Sequence, residues 1–373
     1  MAILELQTRS FRNLEDGAVH TGAASVFLVG ENGQGKSNFL DAVYTLCYAN
    51  SFRGASDSEA ARLESASWLV QAVVGALANK DYADGKPSVG FESEFSVRWE
   101  NGTKSLKENG KTIQDRKRLV EANPAIVFCH GDMEFARGEP ERRRFFFDQT
   151  AGLVSPLYID TLRLYRRVLK ARNAALKERM LDVLPMLDLQ LATYGLSLMD
   201  ARSAVVSAFD PVFSGCYETV SRLGFQVRPV YKPSWRDVRT DEEIVAKLEA
   251  ARDRELAVGT TLSGPHRDRY AFADEHGDFS ARASTGQLRL MALTLRIAQA
   301  MHFSNASGRK PILLLDDVLL ELDPEKRRRF MEALPANEQA FFTFLPGEPY
   351  RDYAGDSSLI YWTEHGRFVH TAG

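Results

Sequence analysis

An α/β fold, carrying an antiparallel β lobe and interrupted by a mostly helical insertion, is what three observations in this 373-residue chain predict. The first is an apolar segment, Val26-Phe27-Leu28-Val29, which runs into a glycine-rich loop and then into residues at helical spacing. The second is another apolar run, Pro311-Ile312-Leu313-Leu314-Leu315, which stops on two carboxylates, Asp316 and Asp317. The third is a change of pattern near residue 115, after which helical spacing dominates to about residue 254. The expected organisation is therefore 1–114 as the first part of an α/β domain with a β lobe, 115–254 as an inserted helical domain, and 255–373 as the rest of the α/β domain.

Taken in order, Leu4 and Leu6 alternate with polar neighbours, so residues 1–30 read as two short strands on either side of Ser10-Phe11-Arg12-Asn13-Leu14. After the loop, Phe39, Leu40, Val43 and Leu46 mark one face of a helix from Ser37 to about Tyr48, broken at Ser51-Phe52-Arg53-Gly54. Residues 68–114 read as an antiparallel meander. Val89, Phe91, Phe95, Val97 and Trp99 follow period two, and Asn101-Gly102 and Asn109-Gly110 are hairpin turns.

In the helical stretch, Ser155-Pro156 is a cap followed by proline at the first helical position. The helix it starts is basic and should reach Met180, with Pro185 ending or kinking it. Two further helical patterns run to Leu223, and Thr240-Asp241-Glu242-Glu243 is a capping box for a last helix ending near Arg254. A strand at Tyr270–Phe272, a helix after Ser284-Thr285-Gly286-Gln287, and strands at Ile312–Leu315 and Ala340–Phe344 then restore α/β character, with an edge segment near Val369.

Bulk properties narrow the function. The composition, 44% apolar and 26% charged, is that of a soluble globular chain, and a net charge of −3 supplies no global attraction to a polyanion. Cys47, Cys129 and Cys216 form neither a zinc pattern nor a disulfide framework, which makes a reducing cytosol the expectation. No secretion signal is visible at the start, and no apolar run approaches the ~18 residues that cross a membrane.

The loop Gly30-Glu31-Asn32-Gly33-Gln34-Gly35-Lys36-Ser37, followed by Asn38, fits the phosphate-binding pattern G-x-x-x-x-G-K-[ST] in the strand–loop–helix context that pattern requires. Its glycines let the backbone aim N–H groups inward, and the helix N-terminus adds positive potential. Lys36 can reach the β- and γ-phosphates, and the Ser37 hydroxyl can ligate Mg²⁺. Asp316 leaves a buried strand at the edge where α/β sheets collect ligands, placed to share the Mg²⁺ shell with Ser37. Asp317 would orient or deprotonate an attacking water. Ser284, Gly286 and Gln287 stand at a second helix N-terminus, a further anion site by the same dipole physics. Thr343 reads as a core-strand threonine within reach of the phosphates.

The order phosphate loop, Ser-x-Gly-Gln, then apolar strand with two acids is that of ATP-binding-cassette ATPases. More closely, the chain resembles the RecF family, recombination ATPases related to the SMC proteins. The resemblance is carried by Ser10–Leu14, Gly30–Ser37, Ser51–Arg53, Gly138-x-Pro140 with Arg142-Arg143 through Asp148, Arg172-Asn173, Gly264-Pro265-His266-Arg267-Asp268, and Asp316-Asp317-Val318 with Glu321-Leu322-Asp323. Thr285 and Leu288 stand where the family has glutamine, His130 where it has proline, and Arg269 where it has an acid.

The resemblance implies an ABC/SMC-type P-loop ATPase head that binds ATP and Mg²⁺ and closes as a head-to-tail homodimer. The Ser284–Gln287 element of one copy would contact the γ-phosphate held by the other. It also implies weak, DNA-dependent ATP hydrolysis, binding to duplex DNA and single-strand junctions, RecO and RecR as partners in RecA loading, and a cytoplasmic location. The DNA-contact candidates are Arg163, Arg167 and Lys170, which share one helix face, and beside them the cluster Arg142–Arg144, for which an internal pairing with Asp148 or Glu141 is the alternative. Two other readings compete. A transporter nucleotide-binding subunit is disfavoured by the helical insertion, and an ATP-binding scaffold without turnover by Lys36, Asp316 and Asp317.

Overall fold

The computed structural model describes residues 1–77, 92–319, 322–355 and 357–371, so Val89, Phe91 and Glu321 lie outside the described residues. The chain forms two compact units, Met1–His130 with Gly308–Gly373, and Gly131–Ser307. These seams differ from the expected ones near 114 and 254. The strand Ala125–Phe128 joins the core sheet of the first unit, and the helix Thr285–Ser307 packs on helices of the second.

The first unit is built on a six-stranded sheet in the order Arg367–His370, Ser358–Glu364, Ser25–Val29, Gln339–Phe344, Ile312–Leu315, Ala125–Phe128. All neighbours are parallel except the first pair. Ser25–Val29, Gln339–Phe344 and Ile312–Leu315 are mostly apolar and almost wholly buried because both faces are covered, which is why they read as runs and not as alternations. A second, antiparallel sheet orders Gly17–His20, Ala2–Arg9, Ser67–Gly75, Ser93–Glu100, Thr103–Glu108 and Lys111–Thr112. Both Asn-Gly hairpins are present, with positive φ at Asn101 and Gly102 and at Asn109 and Gly110. The short strand Gly17–His20 is an addition to the expected pair near the start. It is largely exposed and carries no apolar alternation to announce it. One side chain ties the two sheets together: the Gln339 amide accepts from Ile3 N at 2.9 Å and donates to the carbonyls of Ile3, Thr21 and Ala23.

The second unit holds the helices Pro140–Val154, Pro156–Glu178, Leu184–Ser221, Asp241–Val258 and Thr285–Ser307, with a small sheet of Arg228–Lys232, Arg269–Asp274 and Gly277–Asp278. Ser155 accepts from the amide of Tyr158, and Thr240 and Glu243 form the expected capping box. The basic helix stops at Glu178, where Arg179 takes the left-handed conformation, so Pro185 does not end it. Pro185 instead sits in the first turn of the next helix, where its missing N–H costs nothing. That helix runs 38 residues without a break through Pro211, replacing the two shorter patterns expected.

Several blocks that carry the family resemblance prove to be the polar core of this unit. Arg202 pairs with Asp148 and Asp268, each at 2.8 Å, and Asp268 also accepts from the Tyr231 hydroxyl and the Ser234 amide. His266 Nε2 faces the Thr261 carbonyl at 3.1 Å and Nδ1 faces the Tyr165 hydroxyl at 2.7 Å. Burial pushes this imidazole down to about 4. Arg172 is fully buried, bonded to Asp188 and Thr261 and paired with Glu255, so it leaves the basic surface the sequence suggested. Arg143 and Arg144 donate to the carbonyls of Tyr270, Ala136 and Asp268, an internal role, with the carboxylates of Glu141 and Asp148 close enough to Arg144 to act on it electrostatically.

Asp268→Ala takes from the buried Arg202 one of its two carboxylate partners, leaving Asp148, and removes the acceptor of the Tyr231 hydroxyl and the Ser234 amide. A buried donor left unsatisfied costs about 1–3 kcal/mol, so its urea midpoint, followed by circular dichroism, should fall well below that of the parent.

Candidate nucleotide-binding site

Parallel pairing sets the site. Val29 lies opposite Phe344, and Leu315 opposite Phe342, so the chain leaves all three strands at one edge of the sheet, as Gly30, Leu345 and Asp316. The glycine-rich loop then turns into the helix Lys36–Tyr48, with Gly35 at φ 117°, a conformation closed to other residues. Lys36 is buried, and its Nζ donates to the carbonyls of Gly30 at 2.7 Å and Glu31 at 3.0 Å. A phosphate oxygen would replace these acceptors with stronger, charged ones.

Asp316 lies beside Ser37 at the strand end. Burial pushes its carboxyl up to about 6. A hydrogen bond from Ser37 lowers it, Asp317 raises it by repulsion, and Arg53 and Lys36 pull it down. Its Oδ1 is buried without a hydrogen-bond partner. A cation is the group this arrangement fits: it would satisfy the orphaned oxygen and restore the ionised carboxylate. Among the described residues no cluster of three His, Cys, Asp or Glu could hold a metal unaided. Mg²⁺ held by Ser37 and Asp316 would therefore take its remaining ligands from phosphate and water.

Asp317 adopts φ 52°, rare for a residue other than glycine. The Thr343 hydroxyl holds it there, accepting from the Asp317 amide and donating to Oδ1, both at 2.8 Å. Thr343 is thus more than a core-strand threonine. Asn13 and Arg53 belong to the same rim. Asn38 donates to Asn13 at 2.7 Å and accepts from Arg53 at 2.8 Å, while Asn13 Nδ2 lies 3.3 Å from the Gly33 carbonyl. Both stand in blocks that carry the family resemblance, but nothing in their spacing assigns them to the loop. The neighbouring Arg12 and Ser51 instead meet on the fully buried Asp41 and hold the loop's base.

Ser284, Gly286 and Gln287 belong to the other unit. Ser284 and Gln287 form a reciprocal cap, the Gln287 amide donating to Ser284 Oγ and the Ser284 amide to Gln287 Oε1. Ser284 and Gly286 are exposed, and a Cβ added at Gly286 would meet nothing within 4 Å. Arg167 and Lys170 are exposed on their helix, while Arg163 is half-buried and lies 3.6 Å from Asp160.

Comparison with known proteins follows the same lines. The RecF/RecN/SMC N-terminal domain family matches residues 2–346. The chain belongs to the RecF/RecN/SMC family. A Treponema pallidum relative, "DNA replication and repair protein RecF", is 41% identical over 361 residues, covering 96% of this chain and 98% of that one. A Leptospira interrogans relative of the same description is 29% identical over 372 residues, covering 98% and 99%. A solved structure described as the recombination mediator protein RecF-ATP in the RecFOR pathway superposes with a TM-score of 0.87 at 25% identity, covering 99% of this chain and 97% of that one. An SMC head bound to the C-terminal winged-helix domain of ScpA shares the fold, with a TM-score of 0.56 at 16% identity. The family therefore has this α/β ATPase fold. No helix among the described residues is long and apolar enough to cross a membrane.

The raised Asp316 carboxyl has a sign that can be measured. Its folded form keeps a proton up to about pH 6, whereas the unfolded chain releases it near the ordinary 3.8. Without nucleotide or Mg²⁺, the contribution of this carboxyl to stability should therefore fall as pH rises from about 4 to about 6, by on the order of 3 kcal/mol, while the buried His266 contributes with the opposite sign over the same range. The difference in urea midpoint between the parent and Asp316→Asn, which cancels the His266 contribution, should change by that amount across the window.

Proposed function

We propose that this chain is a RecF-type DNA replication and repair protein, an ATP-gated clamp that dimerises on ATP and resets by slow hydrolysis. The observation that carries the ATP half is the Asp316 carboxyl, buried beside Ser37 and Lys36 with an unpartnered oxygen. That is a charge deficit which phosphate-bound Mg²⁺ fits. In this reading Lys36 and the loop amides of residues 30–38 bind the triphosphate, and Ser37 and Asp316 orient the cation, which stabilises charge on the phosphates. Asp317, pinned through Oδ1 by Thr343, presents its other oxygen to the attacking water. Arg53, close enough to lower the Asp316 carboxyl, supplies a further positive charge at the rim.

The second copy is argued from Gly286. Glycine is a weak helix former, and nothing among the described residues occupies the space a side chain would need there. A phosphate brought to the exposed cap Ser284-Thr285-Gly286-Gln287 by another molecule accounts for it. The head-to-tail homodimer places the triphosphate of one copy on that cap of the other. The relatives described as DNA replication and repair proteins, and the RecF-ATP structure described as belonging to the RecFOR pathway, support the DNA half of the reading; within it the chain binds duplex DNA and single-strand junctions, works with RecO and RecR in RecA loading, hydrolyses ATP faster on DNA and acts in the cytoplasm. The exposed Arg167 and Lys170, with Arg163 beside them, are the phosphate contacts assigned to DNA.

Sedimentation velocity tests the clamp. The parent should be monomeric alone and dimeric with ATP, Asp317→Asn should be trapped as the dimer, and Ser284→Arg should stay monomeric while still binding nucleotide. A monomer under every condition overturns the reading. For DNA, the logarithmic salt slope of duplex affinity should fall by about 1 for each of Arg167→Ala and Lys170→Ala. Unchanged slopes place the contacts elsewhere.

A further inference from the structure

The hairpin of Ser358–Glu364 and Arg367–His370 follows the stretch matched by the family, which ends at residue 346. Its turn closes against the back of the phosphate loop. The Gly366 amide donates to the Gln34 carbonyl at 2.8 Å, and the His365 amide donates to Gln34 Oε1 at 2.7 Å. The Gly366 carbonyl accepts in turn from the Glu15 amide at 3.0 Å. Space is used up on both sides of the contact. A Cβ at Gly30 would run into the Thr363 carbonyl, one at Gly35 would lie 3.2 Å from Gly366 Cα, and one at Gly366 would run into the Asn13 carbonyl. His365 and Gly366 both take positive φ, 49° and 82°, which is what brings two successive N–H groups to bear on one residue.

We infer that the His365–Gly366 turn is a positioning element for the nucleotide, with Gln34 as the residue it grips. In a planar trans peptide the C=O and the following N–H point in opposite directions. Holding the Gln34 carbonyl toward the hairpin therefore turns the Gly35 N–H away from it, toward the concave side of the loop where phosphate oxygens bind. Asn13, donating to the Gly33 carbonyl, does the same for the Gln34 N–H. The carbonyls of Gly30 and Glu31 accept from Lys36, which turns to phosphate when the site fills, whereas those of Gly33 and Gln34 keep their donors, and the hairpin supplies the one for Gln34. A loop so fixed loses less freedom on binding an anion, so the turn acts on nucleotide affinity and not on the hydrolytic step. No atom of the hairpin need touch the nucleotide.

This inference rests on reading residues 30–37 as the nucleotide site, and the test separates the two. Binding of a fluorescent ADP analogue and steady-state ATP hydrolysis are measured on the full chain for the parent, Gln34→Ala and Gly366→Ala. Gln34→Ala removes the acceptor of the His365 amide, and Gly366→Ala forces the turn away from Asn13. Both variants should weaken nucleotide binding about five- to tenfold, the worth of one well-placed hydrogen bond. Both should raise KM similarly and leave kcat at saturating ATP within about twofold. A parent that binds no nucleotide overturns the site itself. A parent that binds, with folded variants matching it in affinity and differing only in melting temperature, leaves the site standing and overturns the positioning role. Gln34→Ala, which introduces no clash, decides the matter where Gly366→Ala does not fold.

Discussion

Parallel pairing of three strands drawn from distant parts of the chain is the constraint on which everything else depends. Ser25–Val29, Gln339–Phe344 and Ile312–Leu315 lie side by side, and the register sets Gly30, Leu345 and Asp316 at one edge. Slip that register by one residue and Asp316 turns into the apolar layer while Leu315 faces the loop. The apolar content of these strands is thus a positioning device. Burial of both faces fixes the register, and the register delivers the hydroxyl of Ser37, the amine of Lys36 and the carboxylate of Asp316 to one spot. The same burial raises the Asp316 carboxyl. The protein thus holds a carboxyl away from the water that would favour its ionised form.

Much of this was legible in the amino acids. A glycine-rich loop that ends in Lys36-Ser37, set between an apolar strand and a helix, points to phosphate, and two acids closing a second apolar strand point to the same edge. The Asn-Gly hairpins and the Thr240 capping box could be read residue by residue because their signals are local. What was not legible was long-range. Thr343 looks like any β-branched residue in a core strand, and only the left-handed turn at Asp317 gives its hydroxyl a purpose. Asn13 and Arg53 stand 25 and 15 residues from Asn38 in the chain, with no spacing rule to join them. The uninterrupted helix Leu184–Ser221 misled for the opposite reason. Pro211 signals a break, but packing on both sides of it outweighs the one lost hydrogen bond.

The helical unit shows how a family pattern can be misread as chemistry. Asp148, Arg172, His266 and Asp268 are polar residues in recognisable blocks, and each is sealed within the unit by partners of its own. Such buried networks specify one packing arrangement among helices whose apolar faces alone would tolerate several. The unit's exposed chemistry is elsewhere, at the Ser284 cap and along the helix bearing Arg167 and Lys170.

The Gln339 amide, bonded to Ile3, Thr21 and Ala23, joins the first strand of the chain to one that starts more than three hundred residues later. During synthesis on the ribosome, the N-terminal segment must therefore wait, with the sheet that surrounds the loop left open, until nearly the whole polypeptide has emerged. Gly131–Ser307, by contrast, is continuous in sequence and can collapse as soon as it leaves the exit tunnel. The unit that carries the glycine-rich loop is therefore the last to close, and a stop codon before Gln339 leaves its sheet unfinished while sparing the helices of residues 131–307.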